Sequence, residues 1–113
     1  SLYVKADEGA RVAMDLKITD LATNTSSGAT MDVRGTADYH RAKINTGAEL
    51  KASELITQES EVFLTTGGVA DVFARKELSI NVRAGGTVNV HSKTKKIIEN
   101  KLAGGTINYL YED

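Results

Sequence analysis

The segment Thr30-Met31-Asp32-Val33 alternates polar and apolar residues. The alternation returns at Glu49-Leu50-Lys51-Ala52, Val69-Ala70-Asp71-Val72, Thr87-Val88-Asn89-Val90 and Thr106-Ile107-Asn108-Tyr109. A period of two sends successive side chains to opposite faces and predicts strands with one buried face. Each segment follows a Gly: the series Gly9, Gly28, Gly47, Gly67, Gly85, Gly104 has intervals of 19, 19, 20, 18 and 19. The residue before the Gly is small from the second unit onward: Ser27, Thr46, Thr66, Ala84, Ala103. Self-similarity at a fixed period of this size predicts a stacked repeat architecture.

Alignment on the Gly separates inward from outward columns. Three residues after it stand Val12, Met31, Leu50, Ala70, Val88 and Ile107; five after it stand Met14, Val33, Ala52, Val72, Val90 and Tyr109. Between them runs a mostly polar column of Ala13, Asp32, Lys51, Asp71, Asn89 and Asn108. A second apolar alternation precedes the Gly. Three residues back are Ala6, Thr25, Ile44, Leu64 and Val82, five back are Val4, Thr23, Ala42, Val62 and Ile80, and seven back include Leu2, Leu21 and Leu78. Two strands therefore meet at a corner, where Gly takes positive φ without a Cβ penalty. A variable polar connection, with room for a third short strand, completes the unit. Stacking at ~4.8 Å pairs each strand with its copies above and below. The expectation is an all-β fold, a single-stranded parallel β-helix (β-solenoid) of about six coils of about 19 residues, with residues 1–113 as one domain. Regular Gly and sustained alternation oppose helix. Residues 94–101 are expected to form an irregular final connection.

Composition agrees. Aromatic residues make up 5% of the chain and Trp and Pro are absent, so Val, Ile, Leu, Ala and Thr must build the core. The absence of Cys excludes a disulfide framework, a thiolate metal site and a Cys nucleophile. A net charge of −1 gives no reason to expect nucleic acid as a partner. No apolar run approaches the ~18 residues of a membrane-spanning helix. The chain opens at Ser1 without an initiator Met or a signal pattern, as in a processed or truncated product. Solenoid ends expose core. The N-terminal face is therefore expected to have lost a preceding segment or to pair with another chain, a route to a homo-oligomer. The C-terminal strand, closing on Glu112-Asp113, reads as a blunt edge.

Several motifs carry a family resemblance: Thr25-Ser26-Ser27-Gly28-Ala29, Leu50-Lys51-Ala52-Ser53-Glu54-Leu55, Lys76-Glu77-Leu78 before Ala84-Gly85-Gly86-Thr87-Val88, and Ala103-Gly104-Gly105-Thr106-Ile107. In this order, over nearly the whole chain, they resemble the auto-transporter adhesin head GIN domain family, exported bacterial proteins often of Bacteroidetes. The resemblance implies a right-handed β-helix, a location at the cell envelope or surface, an adhesive role, and correspondence to the C-terminal portion of a longer exported protein. It brings no catalytic or binding residues. The chain departs from the family at Val90-His91-Ser92-Lys93-Thr94-Lys95-Lys96, where members carry a Pro-containing loop.

The best candidate surface is the outward column Asp32, Lys51, Asp71, Asn89, Asn108. Asp32 and Asp71 fall two coils apart, roughly 10 Å, at or beyond the ~6.5–9.5 Å of an inverting carboxylate pair. Lys51 between them is expected to pair with both and keep them ionised. A solvated face of alternating charge is the simpler reading. His40 and His91 occupy different coils and different places relative to the Gly; they are expected to be exposed connection residues that do not meet, without metal-ligand spacing. Lys93, Lys95 and Lys96, with Lys101, read as a solvated basic loop. Ser26, Ser27, Ser53 and Ser60 lack a His in a triad arrangement. The Gly pairs lack the helix that a phosphate loop requires. Tyr39, Tyr109 and Tyr111 read as cap packing, with sugar stacking as the alternative. Two functions follow: an adhesin-like structural module that contacts a polymer or partner protein through a regular face, without cofactor or enzymatic activity, or a carbohydrate-binding or carbohydrate-active module using the Asp32–Asn108 column.

Overall fold

The computed structural model describes residues 2–102 and 104–110, with the side chain of Leu102 undescribed. It contains strands and turns and no helix among these residues. In chain order the strands are β1 Leu2–Ala6, β2 Arg11–Thr25, β3 Thr30–Ile44, β4 Glu49–Lys51, β5 Leu55–Thr65, β6 Val69–Val72, β7 Ala74–Arg83, β8 Thr87–Val90, β9 Lys96–Leu102 and β10 Thr106–Tyr109. Every pairing among them is parallel. The chain is a β-solenoid of about six turns.

Three faces surround the core. The first follows the Gly turn and stacks the start of β2 and β3 with β4, β6, β8 and β10. The second answers the question of a third strand: Leu16-Lys17-Ile18 pairs with Gly35-Thr36-Ala37, which pairs with Leu55-Ile56-Thr57. The third leads into the next Gly turn and stacks β1, the ends of β2, β3 and β5, then β7 and β9. In the first coils one strand of 15 residues runs through all three faces. β9 replaces the irregular connection expected at 94–101: residues 96–102 continue the third face, with Leu78 opposite Ile97.

The registers place the inward columns where the alternation puts them. Met31, Val33, Ala42, Ile44, Leu50, Val62, Leu64, Ile80 and Val88 are at most 1% exposed. Coil length varies only away from the Gly turn. The 20-residue coil takes its extra residue at Ser53-Glu54; the 18-residue coil shortens at Phe73 and bulges at Arg75-Lys76.

The Gly turn is of type I′. Ala10, Ala29 and Ala48 N–H donate to the carbonyls of Asp7, Ser26 and Asn45, three residues back, and both central residues have positive φ. Gly9, Gly28, Gly47, Gly67 and Gly85 have φ between 72° and 80°, as expected, and Gly104 has 93°. The preceding Glu8, Ser27, Thr46, Thr66 and Ala84 are left-handed too, at 51° to 57°. Turns also bond to turns: Gly9, Gly28 and Gly47 N–H donate to the carbonyls of Ser27, Thr46 and Thr66 in the next coil.

Gly35, outside the repeating series, sits at a different corner with φ 116°; a Cβ there would lie 1.8 Å from the Leu16 carbonyl oxygen.

Candidate functional site

The outward column of the first face is assembled as the alternation requires. Asp32 pairs in register with Lys51, Lys51 with Asp71, Asp71 with Asn89 and Asn89 with Asn108. Asn108 Nδ2 donates to Asn89 Oδ1 at 3.0 Å, so this end of the column is an amide ladder. The charged part differs from expectation. Lys51 Nζ lies 3.4 Å from Glu49 on its own strand rather than bridging two aspartates. Asp32 faces Arg34 Nε at 3.6 Å, and Arg34 also reaches Glu54 at 3.3 Å. A β-strand sets residues i and i+2 on one face about 6.6 Å apart, so a long side chain can reach a same-strand partner as well as one about 4.8 Å away in the next coil. These exposed pairs contribute little to stability. The two aspartates remain two ladder steps apart, roughly 10 Å. A shallow depression of about 380 Å³ lies beside Ala13, lined also by Arg11, Val12, Thr30, Asp32, Glu49 and Lys51; it has no aromatic wall.

Neither histidine is an exposed connection residue. His40 is 1% exposed in the core of the third face, and its Nε2 lies 2.9 Å from Thr23 Oγ1. Burial holds its imidazole well below the ordinary range, at about 4. The signal was present in the sequence: His40 stands seven residues before Gly47, in the column of Leu2, Leu21 and Leu78. His91 is partly buried, with Nε2 3.0 Å from Asp71 Oδ1. As expected, the two lie apart.

His40 is the ladder neighbour of Ser60, but both are committed elsewhere. Ser60 Oγ lies 2.6 Å from Thr57 Oγ1, which donates to the Phe73 carbonyl. With both side chains buried, the pair offers no surface nucleophile. Ser92, another buried hydroxyl, donates to the Ala74 carbonyl at 2.8 Å and accepts from Ala74 N–H at 2.9 Å, pinning the corner before β9. Lys93, Lys95, Lys96 and Lys101 are exposed, Lys96 and Lys101 as part of β9. Among the described residues no cluster of His, Asp or Glu is arranged to hold a metal ion, and no helix is long and apolar enough to cross a membrane.

The aromatic residues gather mainly on the outside of the third face. Tyr39 occupies the corner column with Asp20 and Glu59. Its hydroxyl donates to Glu61 Oε2 at 2.7 Å, and the Arg41 guanidinium lies 5.9 Å from its ring centre. The hydrogen bond to Glu61, followed by burial, raises the phenol pKa above its usual value. Tyr109, in an otherwise inward column, donates to Glu99 on β9 and so ties the first face to the third across the C-terminal end. Tyr111 lies outside the described residues.

No curated protein and no solved structure is detectably similar to the chain. A family model described as "Putative auto-transporter adhesin, head GIN domain" matches residues 1–93. The match takes in the Gly turns through Gly85-Gly86 and stops short of Gly104-Gly105, so the closing motif lies beyond it. On this match, over the greater part of its length, the chain belongs to the auto-transporter adhesin head GIN domain family.

Proposed function

We propose that the chain is an adhesin-like module of the cell envelope or surface, which uses a regular solenoid face to contact a polymer or partner protein. The observation that carries this reading is the in-register stacking of outward side chains at a constant ~4.8 Å step, in a chain of an adhesin-named family. Such ladders present one chemistry repeatedly, which suits repetitive or extended partners. No enzymatic step is part of the proposal. Asp32 is paired with Arg34 and Asp71 with His91, which favours a contact surface over a general-acid pair. The domain is read as one unit over 1–113. The N-terminal end, where Leu2 and Tyr3 are exposed and Val4, Val12, Met14, Leu16 and Ile18 are only partly covered, is the surface through which copies would associate.

The test is retention of the purified chain on immobilised cell-surface polymers and envelope proteins, with a scrambled-sequence control. Selective, saturable retention on at least one is expected. Retention on none would overturn the proposal.

A further inference from the structure

The corner between the second and third faces holds a groove of about 530 Å³, lined by Asp20, Asp38, Tyr39, Gln58, Glu59 and Lys76. These residues come from four successive coils, so the groove runs along the stack for roughly 14 Å at ~4.8 Å per step. Tyr39 and Asp20 are shared with a smaller, mainly apolar hollow of about 290 Å³ formed with Leu2, Leu21, Ala22 and Arg41. The Tyr39 ring therefore stands as a wall between a polar groove and a mainly apolar shelf. That wall is fixed: Glu61 holds the hydroxyl at 2.7 Å and Arg41 lies over the ring at 5.9 Å.

We propose that this groove binds a neutral oligosaccharide, with Tyr39 as the stacking platform. The inference rests on the contact reading above and moves the contact away from the Asp32–Asn108 column. A sugar chain presents apolar C–H faces and a rim of hydroxyls. An anchored aromatic ring meets the former without loss of ring freedom. Carboxylates accept from the latter, an amide both donates and accepts, and an ammonium donates; Asp20, Asp38 and Glu59, Gln58, and Lys76 supply all three. Three carboxylates against one ammonium set the sign of the groove and disfavour sulfated or uronic-acid polymers. The Asp32 column has ladders of polar groups but no aromatic wall beside its depression.

The test is an amide-shift titration of the labelled chain with cellohexaose, xylohexaose, mannohexaose and maltohexaose, alongside a heparin hexasaccharide and hexalysine. At least one neutral sugar is expected to give saturable shifts at Asp38, Tyr39, Gln58 and Glu59. Tyr39→Ala should weaken that binding about tenfold, and Tyr39→Phe by a smaller factor, because the ring still stacks but loses the Glu61 bond that anchors it. Asp38→Ala, at an exposed site that does not threaten folding, should also weaken it; Asp32→Asn/Asp71→Asn should not. The proposal is overturned by the absence of groove shifts with all four sugars, by shifts indifferent to both Tyr39→Ala and Asp38→Ala, or by tighter binding of heparin or hexalysine. Sugar shifts confined to the Asp32 face would overturn the groove and leave the broader contact function standing.

Discussion

Thr46 and Thr66 hold φ of 55° and 56°, a conformation that β-branched residues avoid. The stack tolerates it because both are bonded to neighbouring coils: the Thr46 and Thr66 carbonyls accept from Gly28 and Gly47 N–H, and Thr66 N–H donates to the Arg83 carbonyl. At the Gly that follows, a Cβ would meet nothing within 4 Å, so only backbone conformation opposes substitution. Gly47→Val is therefore expected to cost about 1–3 kcal/mol in urea unfolding. Gly35→Ala should be worse despite the smaller side chain, because its Cβ would meet backbone oxygen 1.8 Å away; loss of the folded state by circular dichroism is expected. His40 gives a pH dependence. Its folded pKa is depressed to about 4, so the unfolded chain takes up the proton first. The resulting stability is fully present above about pH 6.5, declines as pH falls toward about 4, and changes no further below that. Between pH 7 and 4 the parent should lose about 3 kcal/mol relative to His40→Gln, measured by urea unfolding at each pH. The six Gly corners were legible because a repeat exposes them. Gly35 was not, because it stands outside the repeating series and breaks no alternation; His40 could be placed by its column but reads as exposed on its own, being a polar residue in a leucine position.

At the scale of strands, bulk is shared across the Gly corner. Where the third face brings Ile44 and Leu64, the position after the turn changes from Ala48 to Gly68 and Gly86. A Cβ at Gly68 would approach Ile44 Cγ2 to 2.8 Å and Leu64 Cδ1 to 3.0 Å. Gly68→Ala alone should destabilise by about 1–3 kcal/mol and Ile44→Ala by about 2–5 kcal/mol. The double variant should be less destabilised than their sum, a coupling readable from a double-mutant cycle. The strands of the first and third faces were legible from alternation. β9 was not, because Glu99 and Lys101 occupy columns filled by Ile80 and Val82 in the coil before. Charge in an inward column reads locally as irregular chain; parallel pairing with β7 overrides it.

Across the whole molecule, the same two charges make the ends of the solenoid unlike. The N-terminal coil leaves apolar inward residues partly open. The C-terminal coil sets exposed Glu99 and Lys101 at the rim and draws Tyr109 across to Glu99. Charged inward positions on an edge strand discourage end-to-end growth. Glu99→Val/Lys101→Ile, which restores the apolar columns, should convert the chain to concentration-dependent oligomers or fibres seen by sedimentation velocity. A variant as monodisperse as the parent would show that the rim charges do not guard that end. The candidate contact column was legible residue by residue, since outward register follows from the repeat. The Tyr39 groove was not: Asp20, Tyr39 and Glu59 stand in step eight residues before their Gly, but they share no side-chain chemistry that would mark a column, and Lys76 lies in the bulge of the 18-residue coil.

The type I′ turns, bonded to one another down one edge, behave like the binding of a notebook. Pages can differ in width at the free margin, as the 20- and 18-residue coils do, without disturbing the spine. A whole page can then be added or removed between two equivalent holes. Excising residues 29–47, one coil from Gly turn to Gly turn, brings Gly28 next to Ala48, the residue that follows Gly47 in the intact chain. The height of the column is thus set by how many pages are bound, and genetic duplication of a single coil is enough to change its reach.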